Sequence, residues 1–274
     1  MYSPTTWLKL IIAASLCLVI GCLTIYDIPI TKWLWQEKPQ AWVFFMDRSL
    51  LQKQHPGFND SLVLIYIIAL CCRYIPTTVA SAYINAITWE RLKLASAFLV
   101  VSGLWLGLFI VHIPKFIWAR IRPAALVDLQ LYTPWYRPGP PFSSLELSQV
   151  NSFPSGHTAM TLAFFSITLV LGLVVPRRLG IALSIGALLT TAMMGISRSA
   201  MGKHWITDWT FILIAGTLFI HWSFFKGLDI PGRWRGITAV TRFQGFGWQP
   251  WKKMLKLLAP VYVLMIAAKL LSYS

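Results

Sequence analysis

Long apolar runs separated by short polar turns set the rhythm of this chain. A run of roughly 17–25 apolar residues crosses a bilayer as a helix. Trp7 to Tyr26 is the first such run, and it ends at Asp27. Residues 27–60 interleave Trp33, Trp35, Trp42, Phe44 and Phe45 with Lys, Glu, Asp and Arg, a mixture expected of a segment lying on the membrane surface. Ser61 to about Ile84 is the second expected span, with Arg73 near its middle. Such an arginine serves a site, pairs with a neighbouring helix or snorkels. Trp89-Glu90-Arg91-Leu92-Lys93 is expected as a polar turn before the third span, Leu94 to Ile113, which runs into Lys115. The fourth span begins at His157 and ends near Val175, stopped by Pro176-Arg177-Arg178; the fifth is Leu179–Ile196 and the sixth about Thr207–Phe225. Leu255–Leu271, interrupted by Pro260 and Lys269, is read as a seventh. Between the third and fourth, residues 124–153 carry Thr133-Pro134-Trp135-Tyr136-Arg137-Pro138-Gly139-Pro140-Pro141, which resists helix and strand and suits a lid or binding surface. The expected fold is an all-α polytopic membrane helix bundle, a six-helix core plus a seventh C-terminal apolar helix. It forms one domain over 1–274, with a motif-bearing core at 94–225 and a basic connector and apolar helix at 226–274.

Composition sharpens this reading. The 274 residues are 57% hydrophobic and 12% charged, too apolar for an ordinary soluble domain. Fourteen tryptophans fit a protein with headgroup-level belts. The net charge of +15 is scattered between apolar runs, with no Lys/Arg-rich arm, which argues against nucleic acid and for anionic headgroups and phosphorylated substrates. Cys17, Cys22, Cys71 and Cys72 all fall inside apolar runs and read as small hydrophobes, not as disulfides or a metal site. Val19-Ile20-Gly21-Cys22 lacks the leucine of a lipoprotein box and only Lys9 precedes it, so a retained first helix is expected.

The distribution of charge orients the spans. Segments 85–94, 176–178 and 226–253 fall on one side and hold ten Lys/Arg, at 91, 93, 177, 178, 226, 233, 235, 242, 252 and 253. The positive-inside rule assigns that side to the cytoplasm. Lys115, Arg122, His157, Arg198 and His204 then gather at the opposite face, although nothing in the assignment required it.

Each cluster there has a chemical reading and a bland one. Lys115 and Arg122 stand two helical turns apart and, on a continuous helix, share a face suited to a phosphate, whereas lone cations at helix ends commonly snorkel. Pro154-Ser155-Gly156-His157 opens an apolar helix: Ser155 is an expected N-cap, Gly156 lets backbone amides approach an anion, and His157 stands where a general acid would. A single interfacial histidine is otherwise unremarkable. Arg198 closes the fifth span and adds a third cation. If the chain is helical from His204 onward, Asp208 lies on the same face as His204, fixes its tautomer and leaves the other nitrogen free as a nucleophile. The alternative is a structural ion pair.

Taken together, Lys-x6-Arg-Pro, Pro-Ser-Gly-His and Ser-Arg-x5-His-x3-Asp occur in order, without a departure, between Lys115 and Asp208. This set resembles the type 2 phosphatidic acid phosphatase superfamily, which includes bacterial lipid phosphatases and shares its pocket with vanadium haloperoxidases. The resemblance implies that His204 attacks phosphorus to form a phosphohistidine, oriented by Asp208. It implies that His157 protonates the departing oxygen and then activates water. Lys115, Arg122, Arg198, Ser155 and Gly156 would hold the phosphoryl oxygens, with no metal and no cofactor. Arg120 lies outside these motifs, and His55, His112 and His221 read as structural. The implied protein is a lipid phosphate phosphatase of a bacterial inner membrane, with its site facing the periplasm. Lipid A, undecaprenyl diphosphate and phosphatidylglycerophosphate are all candidate substrates. Phosphotransfer to an acceptor lipid uses the same intermediate. A non-catalytic phosphate- or lipid-binding protein or a transporter would tolerate losses at His204 or Asp208 that this chain does not show. Haloperoxidase relatives are soluble, against the seven apolar runs here.

Overall fold

The computed structural model describes residues 21, 23–36, 58–80, 82–126, 132–139, 150–238 and 241–271. Most of the first expected span, and His55, lie outside them. The described residues are helical and contain no strand, so the fold is an all-α bundle. Four helical stretches are long and apolar enough to cross a membrane: Ala86–Ala125, Arg177–Ala200, Ile206–Gly236 and Gln249–Leu271. Two shorter apolar helices, Val63–Cys72 and Gly156–Leu171, accompany them. The chain is an integral membrane protein.

Helix α1, Asp27–Gln36, docks on the bundle through its polar side, with Asp27 and Thr31 fully buried. The surface-lying expectation for this segment did not include that contact. Helix α2, Phe58–Tyr74, ends before Ile84 because Pro76 interrupts the run, after which Thr77–Ala80 forms one more turn. Arg73 belongs to α2, but its side chain is not among the described ones.

Helix α3 starts at Ala86, so the polar stretch 89–93 expected as a turn is helical. Asn85 caps it, its side chain accepting from the Ile87 amide at 2.9 Å. Burial of charge in its second turn is tolerated because Glu90 and Lys93 pair at 3.4 Å. Lys93 also donates to the Thr77 hydroxyl at 2.7 Å, and Glu90 accepts from that hydroxyl and from the Phe243 amide at 3.0 Å. After Trp105 the helix widens into a π-helical stretch, Leu106–His112, before finishing as Ile113–Trp118. Pro114 explains the widening: its ring would meet the carbonyl one turn earlier in a regular helix. The Ile113 amide bonds to Leu108, and Pro114 has no N–H, so the Phe109 carbonyl accepts instead from the Tyr262 hydroxyl.

Helices α4 (Gly156–Leu171) and α5 (Arg177–Ala200) form an antiparallel hairpin. Helix α6 runs Ile206–Phe211, passes through a π stretch at Ile212–Gly216, and continues as Thr217–Trp222 and Ser223–Gly227. The short α7 (Ile230–Gly236) follows, and α8 (Gln249–Leu271) packs along the end of α3. Phe98, Trp105, Leu106, Ile110, Leu162, Ile212 and Ile220 form the core between α3, α4 and α6. Ile181, Ile185 and Leu189, one turn apart on α5, are exposed as a lipid-facing stripe would be.

The crossing of α5 and α6 positions the residues considered next. Trp209 packs flat against Gly195 and donates to the Ser199 hydroxyl at 3.1 Å. A Cβ on Gly195 would lie 2.3 Å from the indole. Gly195→Ala is therefore expected to cost about 1–3 kcal/mol through overpacking. A fall in thermal midpoint of the purified protein in detergent checks this, and an unchanged midpoint would contradict the contact.

Candidate active site

Four helix ends, those of α3 and α5 and the starts of α4 and α6, bring the motif residues to one end of the bundle. His204 lies in the turn between α5 and α6 and is 2% exposed. Its Nδ1 stands 2.6 Å from the carbonyl oxygen of Ser152. A carbonyl only accepts, so Nδ1 carries the proton and Nε2 keeps its lone pair. Burial, reinforced by the cations Lys115 and Arg198 and opposed by Asp208, pushes the imidazolium down to about 4. The ring is thus neutral at neutral pH.

Asp208 relates to His204 differently from the helical expectation. Helix α6 begins at Ile206, two residues after His204, so the two are not on one helical face. The carboxylate folds back over the turn instead. Oδ2 accepts from the Trp205 amide at 2.9 Å and from the Ser152 hydroxyl, and stands 3.6 Å from Nδ1 of His204. Ser152 therefore touches both partners, its carbonyl on the imidazole and its hydroxyl on the carboxylate. Sequence reasoning missed it, because a backbone carbonyl leaves no mark on residue identity.

Arg120 was missed as well. Its guanidinium is fully buried, with NH1 2.6 Å from Asp208 Oδ1 and NH2 2.6 Å from Asp27 Oδ2. NH1 also donates to the Thr207 hydroxyl at 2.9 Å, and Nε to the Thr133 carbonyl at 2.6 Å. The rings of Tyr132 and Trp205 flank it at 5.4 and 5.3 Å. Burial and Asp27 together push the Tyr132 hydroxyl up, and it donates to Asp27 at 2.8 Å. One available signal was arithmetic: Asp27 and Asp208 each end or open an apolar run, and a buried carboxylate needs a cation.

Lys115 sits in the last stretch of α3, but the helix stops at Trp118 and does not carry Arg122 on the same face. Ala119 is left-handed, at φ 48°, and the backbone is extended by Arg122. The turn still delivers both cations to one pocket, where Lys115 interacts with Arg122 and Arg198. Lys115 Nζ would lie 3.8 Å from a Cβ built on Gly156. His157, in the first turn of α4, faces Arg198, His204, Lys115 and Arg122. Ser155 occupies the N-cap position as expected, yet its hydroxyl pairs with that of Thr158 at 2.8 Å. Among the described residues no side chain caps α4, so its first-turn amides suit an anion. Arg122 Nε is buried without a hydrogen-bond partner among the described residues. Three cations and an uncapped helix start suit a phosphoryl group.

The segment 132–139 is strapped beside this pocket. The Gly139 amide bonds to Trp118 at 2.8 Å, Trp118 Nε1 to the Trp135 carbonyl at 2.6 Å, and Trp135 Nε1 to the Thr24 hydroxyl at 2.6 Å. Gly139 must be glycine, since a Cβ would stand 2.2 Å from the Ala119 oxygen. Lys269 of α8 reaches its carbonyl at 2.6 Å. Tyr136, on the same segment, is 60% exposed and packs edge-on against Trp135. His112 and His221 are exposed, the latter against Phe225, and take no part in the pocket.

Residues 96–227 match the family model described as PAP2 superfamily. No curated protein and no solved structure matches the chain.

Arg122→Ala is expected to weaken the binding of inorganic phosphate about tenfold or more, as loss of a charge-assisted contact does. Isothermal titration of the detergent-solubilised protein checks this. Equal affinities would remove Arg122 from the pocket.

Proposed function

We propose, from the match of residues 96–227 to the PAP2 superfamily, whose members are phosphatases, that this protein hydrolyses the phosphate ester or anhydride of a membrane lipid through a phosphohistidine at His204. One observation carries the reading: the imidazole of His204, its tautomer fixed by the Ser152 carbonyl, stands beside the cations Lys115 and Arg198.

In the proposed sequence Nε2 of His204 attacks phosphorus, an N–P bond forms and the P–O bond to the lipid breaks. The Ser152 carbonyl holds Nδ1–H throughout, and the charge developing on the ring is offset by Asp208 at 3.6 Å. His157 gives its proton to the departing oxygen, then takes one from the water that cleaves the N–P bond and releases phosphate. Lys115, Arg122 and Arg198, with the amides around Ser155 and Gly156, stabilise the phosphoryl oxygens. None of these steps calls on a metal or a cofactor.

The ten basic residues of the connecting segments belong to the other ends of the helices that carry the site, and on the positive-inside rule we read the site as facing away from the cytoplasm, in keeping with the periplasmic face of a bacterial inner membrane. A lipid can present its headgroup there with its chains still in the bilayer. Lipid A, undecaprenyl diphosphate and phosphatidylglycerophosphate all fit that chemistry, and Tyr136 and Arg137 on the strapped segment are placed to bear on the choice.

Phosphate release in detergent with a chelator present, on these three lipids and phosphatidic acid, tests the proposal. Release from at least one is expected, with a loss on the order of 10⁴ or more in His204→Ala. Folded protein that releases nothing from any of them would refute hydrolysis and direct the search to transfer onto an acceptor lipid. His157→Ala is expected to cost about 10²–10⁴-fold with a lipid alkoxide leaving group and much less with an activated aryl phosphate. Equal losses on both would rule out His157 as the acid.

A further inference from the structure

Helix α1 lies outside the matched stretch and carries none of the three motifs, yet it is built into the start of α6. The first-turn amides of α6 need acceptors, and α1 supplies them. Thr31 Oγ1 accepts from the Ile206 amide at 3.1 Å, and Asp27 Oδ1 from the Thr207 amide at 3.1 Å. The Thr207 hydroxyl adds a bond to Asp27 Oδ2 at 2.9 Å. Behind these, the fork of Arg120 clamps Asp27 and Asp208 at 2.6 Å each. The geometry points to Asp27 and Arg120 as positioning residues that set the orientation and effective charge of Asp208 behind His204, making the N-terminal helix a working part of the site. This rests on the role proposed for His204.

The electrostatic argument is a count of charges. Asp208 stabilises positive charge on the imidazole, and Arg120, in contact with Asp208, works against it. Asp27 offsets Arg120. The trio carries one net negative charge; removing Asp27 leaves none, removing Arg120 leaves two, and removing both returns it to one. The other groups facing His204 are Lys115 on α3, His157 on α4 and Arg198 on α5, with Arg122 facing His157 and Tyr132 bonded to Asp27. Lys115, His157, Arg198 and Arg122 are untouched by the variants, and Tyr132 keeps an acceptor in the side-chain amide oxygen that Asp27→Asn supplies.

The experiment is isothermal titration of inorganic phosphate into the full-length protein as a function of pH, for wild type, Asp27→Asn, Arg120→Gln and the double variant. Bound phosphate favours the protonated imidazole, so affinity rises as pH falls through the titration of His204. Relative to wild type, that rise is expected at lower pH in Asp27→Asn, by about half a unit or more, or threefold in proton affinity. In the double variant it returns toward wild type, and in Arg120→Gln it moves to higher pH. On a lipid the wild type hydrolyses, Asp27→Asn is expected to lower kcat about tenfold with KM unchanged or lower. Arg120→Gln leaves two buried carboxylates unpaired and can fail to fold, and the remaining two variants then decide the matter. Identical pH dependence in wild type, Asp27→Asn and the double variant, with only thermal stability altered, would overturn the inference, as would a wild type that binds no phosphate. Phosphate binding is read without turnover, so the expected shifts in a protein that hydrolyses no lipid would refute the phosphatase reading and leave this one standing.

Discussion

A guanidinium sealed from water is costly to bury unless negative partners meet it, and truncating one partner of such a group leaves an uncompensated charge. Arg120 meets that cost with Asp27 at the start of α1 and Asp208 at the start of α6. Much else in the site follows. Asp208 is turned toward Arg120, which leaves its second oxygen for the Trp205 amide and the Ser152 hydroxyl. Ser152, held in place, presents its carbonyl to His204. His204 is thus oriented through a chain of contacts with its origin in an ion pair set behind it.

The second constraint is where helices stop. The cations of the pocket come from different backbone environments: the last turn of α3 for Lys115, an extended turn for Arg122, the last turn of α5 for Arg198. The left-handed Ala119 ends α3 and lets the chain reverse toward the pocket, and the close approach of Gly139 to the same peptide fastens the neighbouring segment to that bend. Pro114 and the π stretch before it shift the register of α3 just upstream of Lys115. Irregular backbone in a membrane bundle is tolerated where it is buried in protein or lines a cavity. Here it coincides with the gathered cations.

Much of this was legible in the sequence. Apolar runs located the helices, and charge at their ends singled out Lys115, Arg122, His157, Arg198, His204 and Asp208 as neighbours. The errors lay at boundaries, where hydropathy has little resolving power. Residues 89–93 looked like a turn because their polarity is satisfied by distant partners, Thr77 and Phe243. Lys115 with Arg122, and His204 with Asp208, were placed on helical faces by extending helices past their true ends. Ser152 and Arg120 were invisible for different reasons. One acts largely through its backbone, and the other through a partner ninety-odd residues away, and a pairing at that separation has no local spacing to betray it.

The family resemblance spans 96–227, and every motif residue falls within it. The folding unit is larger. Asp27 and Thr31, which finish the start of α6, precede that stretch. Tyr262, which occupies the carbonyl orphaned by Pro114, and Lys269, which holds Gly139, follow it. A fragment trimmed to the matched region would keep the motif residues while stranding a buried cation with half its counter-charge and leaving the first amides of α6 without their acceptors. In this chain, then, the segments outside the matched stretch act as the frame, and the recognisable core is its cargo.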